Sequence, residues 1–546
     1  MTRRGAVITC LLLLGIVGLA AACSNDDAAT DTGPAASGDQ APAGPDNEAA
    51  GSVQAERAPR CVPGVVPDLP AVDGLAPELA STAGQWPSAN RDLHGTRAVF
   101  DSPIDSTTVD DLELAWAYPL TGREGAFGRA ATNPLIIDGR VYLQDLASGL
   151  HVIDLESGEP GWELALDAPV FGPNGLAVGW GRVFAAVRGT SISAYDAVCG
   201  ELLWETRLRD TGGGSVDIQP IVAGELVLAA TSSLSQPGSR GVLFGLDPTT
   251  GEVVWSFDTI ESPDLWGNPS VNSGGGAWYP PAVDLEAGLG FWGISNAYPF
   301  PGVPGFPNGS SRPGNNRWTA SVLALDLATG ALRWGFQHFP HDIFDRDMVL
   351  SAIATVEAPD GPERVVINTG KGAVVAEFDP LSGERLWSTR VGRHQNDDLP
   401  SFEGSLQVLP GTAGGVETPI ATAEGIVYVA AVNAPVTYDS PTDSEGQTEI
   451  GVFPSQVVAL DASSGEIIWD VEVPGDSFGG VTVVNDLLFV SLIDGRVLAL
   501  SRDDGTQLWS RQLPAGINAW PAVAGDMIVL PAGLGPNPRL VALRLR

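Results

Sequence analysis

Val322-Leu323-Ala324-Leu325-Asp326-Leu327-Ala328-Thr329-Gly330-Ala331-Leu332-Arg333-Trp334 reads as a strand, a tight turn and the start of a returning strand. Val322 to Leu325 have apolar, β-rich character. Asp326 opens the turn by bonding its own backbone, and Gly330 supplies a positive φ. Trp334 follows at a fixed distance, so the two-residue period of a strand fixes the face on which its indole lies. The same Asp-x-x-x-Gly-x-x-x-Trp unit recurs at Asp154/Gly158/Trp162, Asp196/Gly200/Trp204, Asp247/Gly251/Trp255, Asp379/Gly383/Trp387 and Asp461/Gly465/Trp469. Ser501/Gly505/Trp509 is a further copy that lacks the Asp, and Trp116, in Leu112-Glu113-Leu114-Ala115-Trp116, closes a unit without the turn. Eight of the 15 tryptophans thus belong to one pattern. An indole at the same place in every unit suits packing between neighbouring sheets.

Each unit carries a second hairpin signal upstream. Asp138-Gly139 lies between Ile136-Ile137 and Val141-Tyr142, Ala223-Gly224 precedes Leu226-Val227-Leu228, and Asn485-Asp486 precedes Leu487-Leu488-Phe489. Two hairpins make a four-stranded antiparallel blade, and eight such units predict an all-β, eight-bladed β-propeller. The indoles recur at intervals of 40 to 53 residues, except for two gaps of 79 and 82. These gaps hold insertions, roughly 262–318 and 394–455, and insertions on such rings sit on loops, where function concentrates. The last strand, Leu540-Val541-Ala542-Leu543, is expected to close the ring and remove a free edge.

With 66 acidic against 29 basic residues, the chain carries a net charge of −37, which repels nucleic acid and excludes a phosphate-backbone partner. At the N-terminus, Arg3 and Arg4 precede an apolar, small-residue run from Ala6 to Ala22 that ends at Cys23. Residues 1–22 therefore read as a signal peptide, with cleavage before Cys23 and diacylation of its sulfur. The competing reading is an uncleaved N-terminal anchor. Both place the body outside the cytoplasm, and the first makes it a lipoprotein held to the membrane by lipid alone.

Residues 23–59 comprise the lipidated Cys23 and a tether rich in Ala, Gly, Pro and Asp, too poor in apolar groups to offset its ordering entropy. Residues 60–85 read as an extended strap, and the propeller spans 86–546. Cys10 leaves with the leader, so Cys61 and Cys199 remain as a disulfide pair in an oxidising compartment. Closing so long a loop contributes on the order of 4–5 kcal/mol in the chain-entropy model. No Cys-x-x-Cys-His occurs, which excludes covalent c-type haem.

The tryptophan units resemble the motifs of the pyrroloquinoline-quinone (PQQ) repeat family, from Trp86-Pro87-Ser88 to the end of the chain. More specific likenesses to quinoprotein alcohol dehydrogenases follow in order: Gly275-Gly276-Ala277-Trp278-Tyr279-Pro280-Pro281, Gly293-Ile294-Ser295-Asn296, Arg312-Pro313-Gly314-Asn315-Asn316 and Pro340-His341-Asp342-Ile343-Phe344-Asp345. The resemblance implies PQQ at the propeller axis on a Trp floor, with Ca²⁺ or a lanthanide at its reactive carbonyl and an Asp as base. By position Trp278 matches the floor and Asn296 an amide metal ligand. Other positions depart. Asn315 stands where the catalytic Asp is expected, and an amide accepts no proton at neutral pH. Gln236 falls where the family has a metal-binding Glu, Asn174 where an Arg holds the cofactor, Ala131 in place of a Glu and Lys371 in place of a cofactor-contacting Asn.

Bland readings stand beside these. Trp278 and Asn296 are cofactor groups or relics of an inherited loop. Lys371 is a replacement cation for the PQQ carboxylates or a solvated lysine. His341, with Asp342, Asp345 and Asp347, forms an oxygen-rich metal site or ties down a loop. Asp397, Asp398 and the 438–449 stretch read as solvated surface. The functional expectation is a membrane-anchored oxidoreductase acting on an alcohol or sugar. The alternative is a non-catalytic propeller that binds a protein or cell-wall partner, and a ligand sensor without turnover is a third.

Overall fold

The computed structural model describes residues 69–546 apart from 126, 209–213, 234–235 and 360. The leader, Cys23, most of the tether-to-strap region and Cys61 lie outside the described residues.

The unit quoted above folds as half of one blade. Strands Ala282–Asp284, Leu289–Ile294, Ser321–Asp326 and Leu332–Gln337 pair antiparallel in that order. Asp326 Oδ1 accepts the Thr329 amide at 3.0 Å and its hydroxyl at 2.7 Å, and Gly330 has φ +67°. The inner strands are buried throughout, whereas outer strands such as Arg385–Arg390 alternate between exposed and half-buried positions. Eight blades of this kind follow one another, seven of them four-stranded; the seventh blade gains a fifth strand, Ala98–Val99, paired parallel to its inner strand Val481–Val484. In the eighth, the early strand Leu112–Pro119 pairs with the last one, Arg539–Leu545, so the C-terminal strand closes the ring as expected, with the N-terminal strand as its outer neighbour.

The tryptophans lock the seams in one repeated geometry. Trp116, Trp162, Trp204, Trp255, Trp334, Trp387 and Trp469 each donate an indole N–H, at 2.8–3.1 Å, to a turn carbonyl of the next blade: Leu155, Ala197, Pro248, Leu327, Pro380, Ala462 and Arg502. The next blade's repeat glycine lies under the same ring. A Cβ at Gly158, Gly251, Gly330, Gly383 or Gly465 would stand 2.5–2.6 Å from indole atoms. The glycine therefore supplies both the turn and the surface that receives the ring.

Antiparallel order sends the loops before each inner strand, and those between the second and third strands, to one face of the ring. The N-terminal segment occupies the other. Glu78 accepts the Trp180 and Gly181 amides, and Gln85 the Asp138 amide, at first-hairpin turns. From Trp86 onward this segment runs along the free edges of the inner strands. Trp86 exchanges backbone bonds with Ile136; the carbonyls of Leu93, His94, Thr96, Arg97 and Val99 accept the amides of Val283, Ile353, Thr422, Val483 and Asn485. Groups that would otherwise point into the axis unpaired are thereby satisfied.

Arg97 sits at the centre of this strap, fully buried. All five of its N–H donors are used: to Val481 O (3.0 Å), Asn90 Oδ1 (3.1 Å), Asn133 Oδ1 (2.5 Å), Thr482 Oγ1 (2.8 Å) and Pro521 O (3.0 Å). Its guanidinium also lies 5.2 Å from the Trp86 ring centroid. Burial without a carboxylate partner pulls its pKa down to about 9, so it stays charged at neutral pH.

Candidate functional site

The two insertions brace one another on the loop face. Each contains a small two-stranded sheet, Ser273–Gly274 with Ala297–Tyr298 and Leu406–Val408 with Val436–Tyr438. Asn308 Nδ2 donates to Phe402 O at 3.1 Å, and the Tyr298 and Ser444 hydroxyls are 3.0 Å apart. Between them Phe344 stacks on Phe402 and Tyr438, with centroids 6.0 and 6.1 Å away. This packing fixes the backbone that carries Asp345 and Asp347.

Those two aspartates hold Lys371, from the mid-blade loop of the fifth blade. Lys371 Nζ lies 2.9 Å from Asp345 Oδ2 and 3.1 Å from Asp347 Oδ2, and their side chains are 14, 8 and 4% exposed. The ammonium also stands 5.8 Å from the centroid of the half-buried Trp278 ring. Lys371 is thus no solvated loop lysine. Asn296 joins the cluster through its backbone, whose amide donates to Asp347 Oδ1 at 2.7 Å. Trp278 contacts Tyr279, with ring centroids 4.7 Å apart, and Tyr279 in turn contacts Trp520 at 5.2 Å.

A third carboxyl, absent from the sequence reading, adds its charge to the surroundings of the lysine. Glu417 lies in a loop anchored on the lysine segment, where the Val416 amide donates to Gly370 O at 3.2 Å. Its carbonyl accepts the Tyr279 hydroxyl at 3.0 Å. Burial pushes the Glu417 carboxyl up to about 7, only partly relieved by Lys371. Burial likewise pushes Asp345 well above the usual carboxylate range, against the pull of Lys371. Burial acts to discharge the ammonium, but Asp345, Asp347 and Glu417 outweigh it and hold Lys371 well above the lysine range. One ammonium does not balance three enclosed carboxyls, so near neutral pH the set retains a proton.

The remaining expected site residues lie elsewhere. Asn315 is exposed; only its backbone carbonyl is engaged, accepting Gln337 Nε2 at 2.7 Å. Its neighbours form a structural clamp, in which buried Arg312 donates to Asn316 Oδ1 at 2.6 Å, Pro299 O at 2.9 Å and Asp342 O at 2.5 Å. Gln236 is exposed in a turn closed by its own amide on Ser233 O. Asn174 is fully buried; its Nδ2 donates to Asp145 O at 2.8 Å, and its Oδ1 has no partner among the described residues. His341 approaches the carbonyls of Gly314 and Asn308, and Asp342 caps the Phe344 and Arg346 amides. That pair ties down loops, whereas Asp345 and Asp347 serve the lysine.

Asp397 is not solvated surface. It is enclosed and bonds His394 Nδ1 at 2.8 Å; burial pushes its carboxyl up, but the His394 bond together with the charges of His394, Arg346 and Arg390 keeps it below the usual range. The repeat aspartates do act as turn residues. Asp154, Asp247, Asp379 and Asp461 each accept an amide within their own turn at 2.6–2.9 Å.

The groups at the axis fit a planar anionic quinone. The half-buried Trp278 indole offers an aromatic ring, and one of the three ammonium N–H donors of Lys371 is left over from the two aspartates. They do not fit a Ca²⁺ or lanthanide ion as they stand. The Oδ2 atoms of Asp345 and Asp347 already hold an ammonium, Asn296 Nδ2 is turned to Ala297 O at 3.2 Å, and Gln236 is at the surface.

A family model described as "Glucose/ethanol/alcohol dehydrogenase, beta-propeller domain" matches residues 213–389. One described as "Outer membrane protein assembly factor BamB" matches 108–274 and 370–546. A putative dehydrogenase XoxF of Paracoccus denitrificans is 24% identical over 523 residues, covering 80% of this chain and 84% of the relative. Quinohemoprotein alcohol dehydrogenase of Comamonas testosteroni is 24% identical over 514 residues, covering 81 and 71%. Its crystal structure superposes with a TM-score of 0.73 at 20% identity, over 85% of this chain and 81% of that one. A europium-containing methanol dehydrogenase gives 0.71 at 18% identity, over 86 and 99%.

Proposed function

Because the chain belongs to the PQQ-repeat β-propeller family, we propose that it is an extracytoplasmic oxidoreductase of the quinoprotein dehydrogenase type, acting on an alcohol or sugar. The observation that carries this reading is the Lys371 ammonium held 5.8 Å from the half-buried Trp278 ring. Bound PQQ supplies the two-electron, hydride-accepting chemistry. Trp278 would form the floor for its rings, and the third Lys371 N–H would meet its oxygens. Asn315 takes no proton. Glu417, with a carboxyl near neutrality, is the group able to receive one from the substrate hydroxyl at working pH.

Titrating the full-length protein with PQQ while following indole fluorescence tests the assignment. Wild type is expected to bind in the micromolar range and Trp278→Ala to bind at least about tenfold more weakly. If wild type shows no binding at high micromolar PQQ, the reading fails. The non-catalytic binding propeller then takes its place, a reading that the extent of the BamB-type match favours.

We also propose that residues 1–22 are removed, that Cys23 is diacylated as the sole membrane attachment, and that Cys61 and Cys199 form a disulfide. Intact mass of protein extracted from membranes is expected to show the truncated, acylated chain and a gain of two hydrogens on reduction. A full-length, unacylated mass would contradict the anchor, and no shift on reduction would contradict the disulfide.

A further inference from the structure

Every repeat tryptophan lies opposite a partner on the third strand of its own blade. The partner's side chain points at the indole, since a Cβ at Gly245 would stand 2.5 Å from the Trp255 ring. The space suits a small apolar group: alanine takes it in five blades, and Gly245 and Val152 in two more. In the fifth blade the partner of Trp387 is Glu377. The residue is only 2% exposed, and its Oε2 has no hydrogen-bond partner among the described residues. The seam it enters, between the fifth and sixth blades, is aliphatic: Ile367 and Val375 meet Val427, Val429, Val458 and Leu460. The single N–H of Trp387 already bonds Ala462 O at 2.9 Å. The charged side chain that acts on Glu377 is Asp461, at the turn of the sixth blade, and its sign is the same. An ionised carboxylate in such a place is costly, whereas a protonated carboxyl is far less so. Burial pushes the Glu377 carboxyl up to about 7, the shared Trp387 N–H relieves it only in part, and Asp461 adds repulsion.

We propose that Glu377 is a proton-dependent latch: protonated, it lets the seam between the fifth and sixth blades close like the others, and ionised, it makes this seam the place where the ring loosens. The closed seam holds the proton more firmly than an opened one, in which water reaches the carboxyl and returns it to the ordinary Glu value of 4.5. The latch is therefore complete below that value and is lost as the pH rises through about 7. The same two blades carry the axial groups. Lys371 belongs to the fifth and the Glu417 loop to the sixth, joined by the Val416 amide on Gly370 O at 3.2 Å. A rise in pH thus slackens the wall of the axial site along one defined line. The latch is a property of the seam whether or not a quinone binds, so its test is separate from the PQQ titration.

The test is amide hydrogen exchange of the full-length protein read by mass spectrometry, with rates corrected for the intrinsic pH dependence of exchange. Between about pH 6 and about pH 8.5, wild type is expected to lose about tenfold in protection at Arg385–Arg390 and Ser455–Asp461, the strands beside the latch. The seam between the second and third blades, read at Leu202–Arg207 and Val242–Leu246, has an alanine under its indole and should lose much less. Glu377→Gln, a neutral isostere, and Glu377→Ala, the residue of most other blades, should each remove the extra loss. Buried Glu417 and Asp345 keep their own titrations in both variants, so the difference from wild type isolates Glu377. The thermal midpoint gives a second reading, in which Glu377→Ala gains on wild type as the pH is raised. Should one variant not fold, the other decides. Equal loss at the two seams in wild type overturns the proposal. So does a selective loss that survives the removal of the carboxyl.

Discussion

Arg97→Ala is expected to lower the unfolding free energy by on the order of 5 kcal/mol, among the largest losses any single side chain can produce. Five acceptors on four segments lose their donor at once: Asn90, Asn133, Val481 with Thr482, and Pro521. Each buried acceptor left unpaired costs roughly 1–3 kcal/mol. Part of this is offset, because the guanidinium no longer has to be desolvated; its pKa of about 9 shows that burial strains it. Arg97→Met, which refills volume but not donors, is expected to recover only a minor share. The measurement is the thermal or denaturant midpoint followed by far-UV circular dichroism. A loss below about 1 kcal/mol would mean that the axial bonds are replaceable by water, and the strap would not depend on this residue.

Trp334→Ala is expected to cost about 3–5 kcal/mol, by emptying the seam between the fourth and fifth blades. The indole bonds Pro380 O, stacks on Phe378 at 6.0 Å and covers Gly383. Gly383→Ala places a methyl group 2.5 Å from that ring, at φ +72°, and is expected to be nearly as damaging. The informative quantity is the double variant. Once Trp334 is gone the methyl has room, and only the left-handed backbone cost of about 1 kcal/mol remains. A double-mutant cycle should therefore show the two losses to be strongly non-additive. Additive losses would mean that ring and glycine do not share the seam.

The ring was legible because its repeats are local. Asp, Gly and Trp of one unit lie within nine residues, and strand period and turn chemistry act at that range. The second duty of the glycine was not legible, since the indole it receives belongs to the preceding unit. Trp278 could be placed by family likeness, but its partner Glu417 was missed. The signal for it is internal. Gly414-Gly415-Val416-Glu417-Thr418-Pro419 parallels Gly275-Gly276-Ala277-Trp278-Tyr279-Pro280, so setting the loops against each other brings Glu417 opposite Trp278. Lys371 was recognised as a candidate cation, but its two aspartates were read as loop ties or metal ligands, because sequence alone does not say which partner a carboxylate meets. Arg97 left no trace, since nothing local marks a residue whose partners lie up to 424 positions away.

The strap has a bearing on how the molecule comes into being. Its binding edge is assembled from the inner strands of blades one, four, five, six and seven, and Arg97 adds a contact at the eighth. During synthesis this stretch emerges before any of them, and it has no complete seat until nearly the whole polypeptide has been made. The earliest part of the chain is thus among the last to settle, and blades cannot accumulate as finished products one at a time. A chain truncated by the eighth blade is left with an open circle and with a strap that has lost its Arg97 bond to Pro521, a state that exposes edges the finished ring covers.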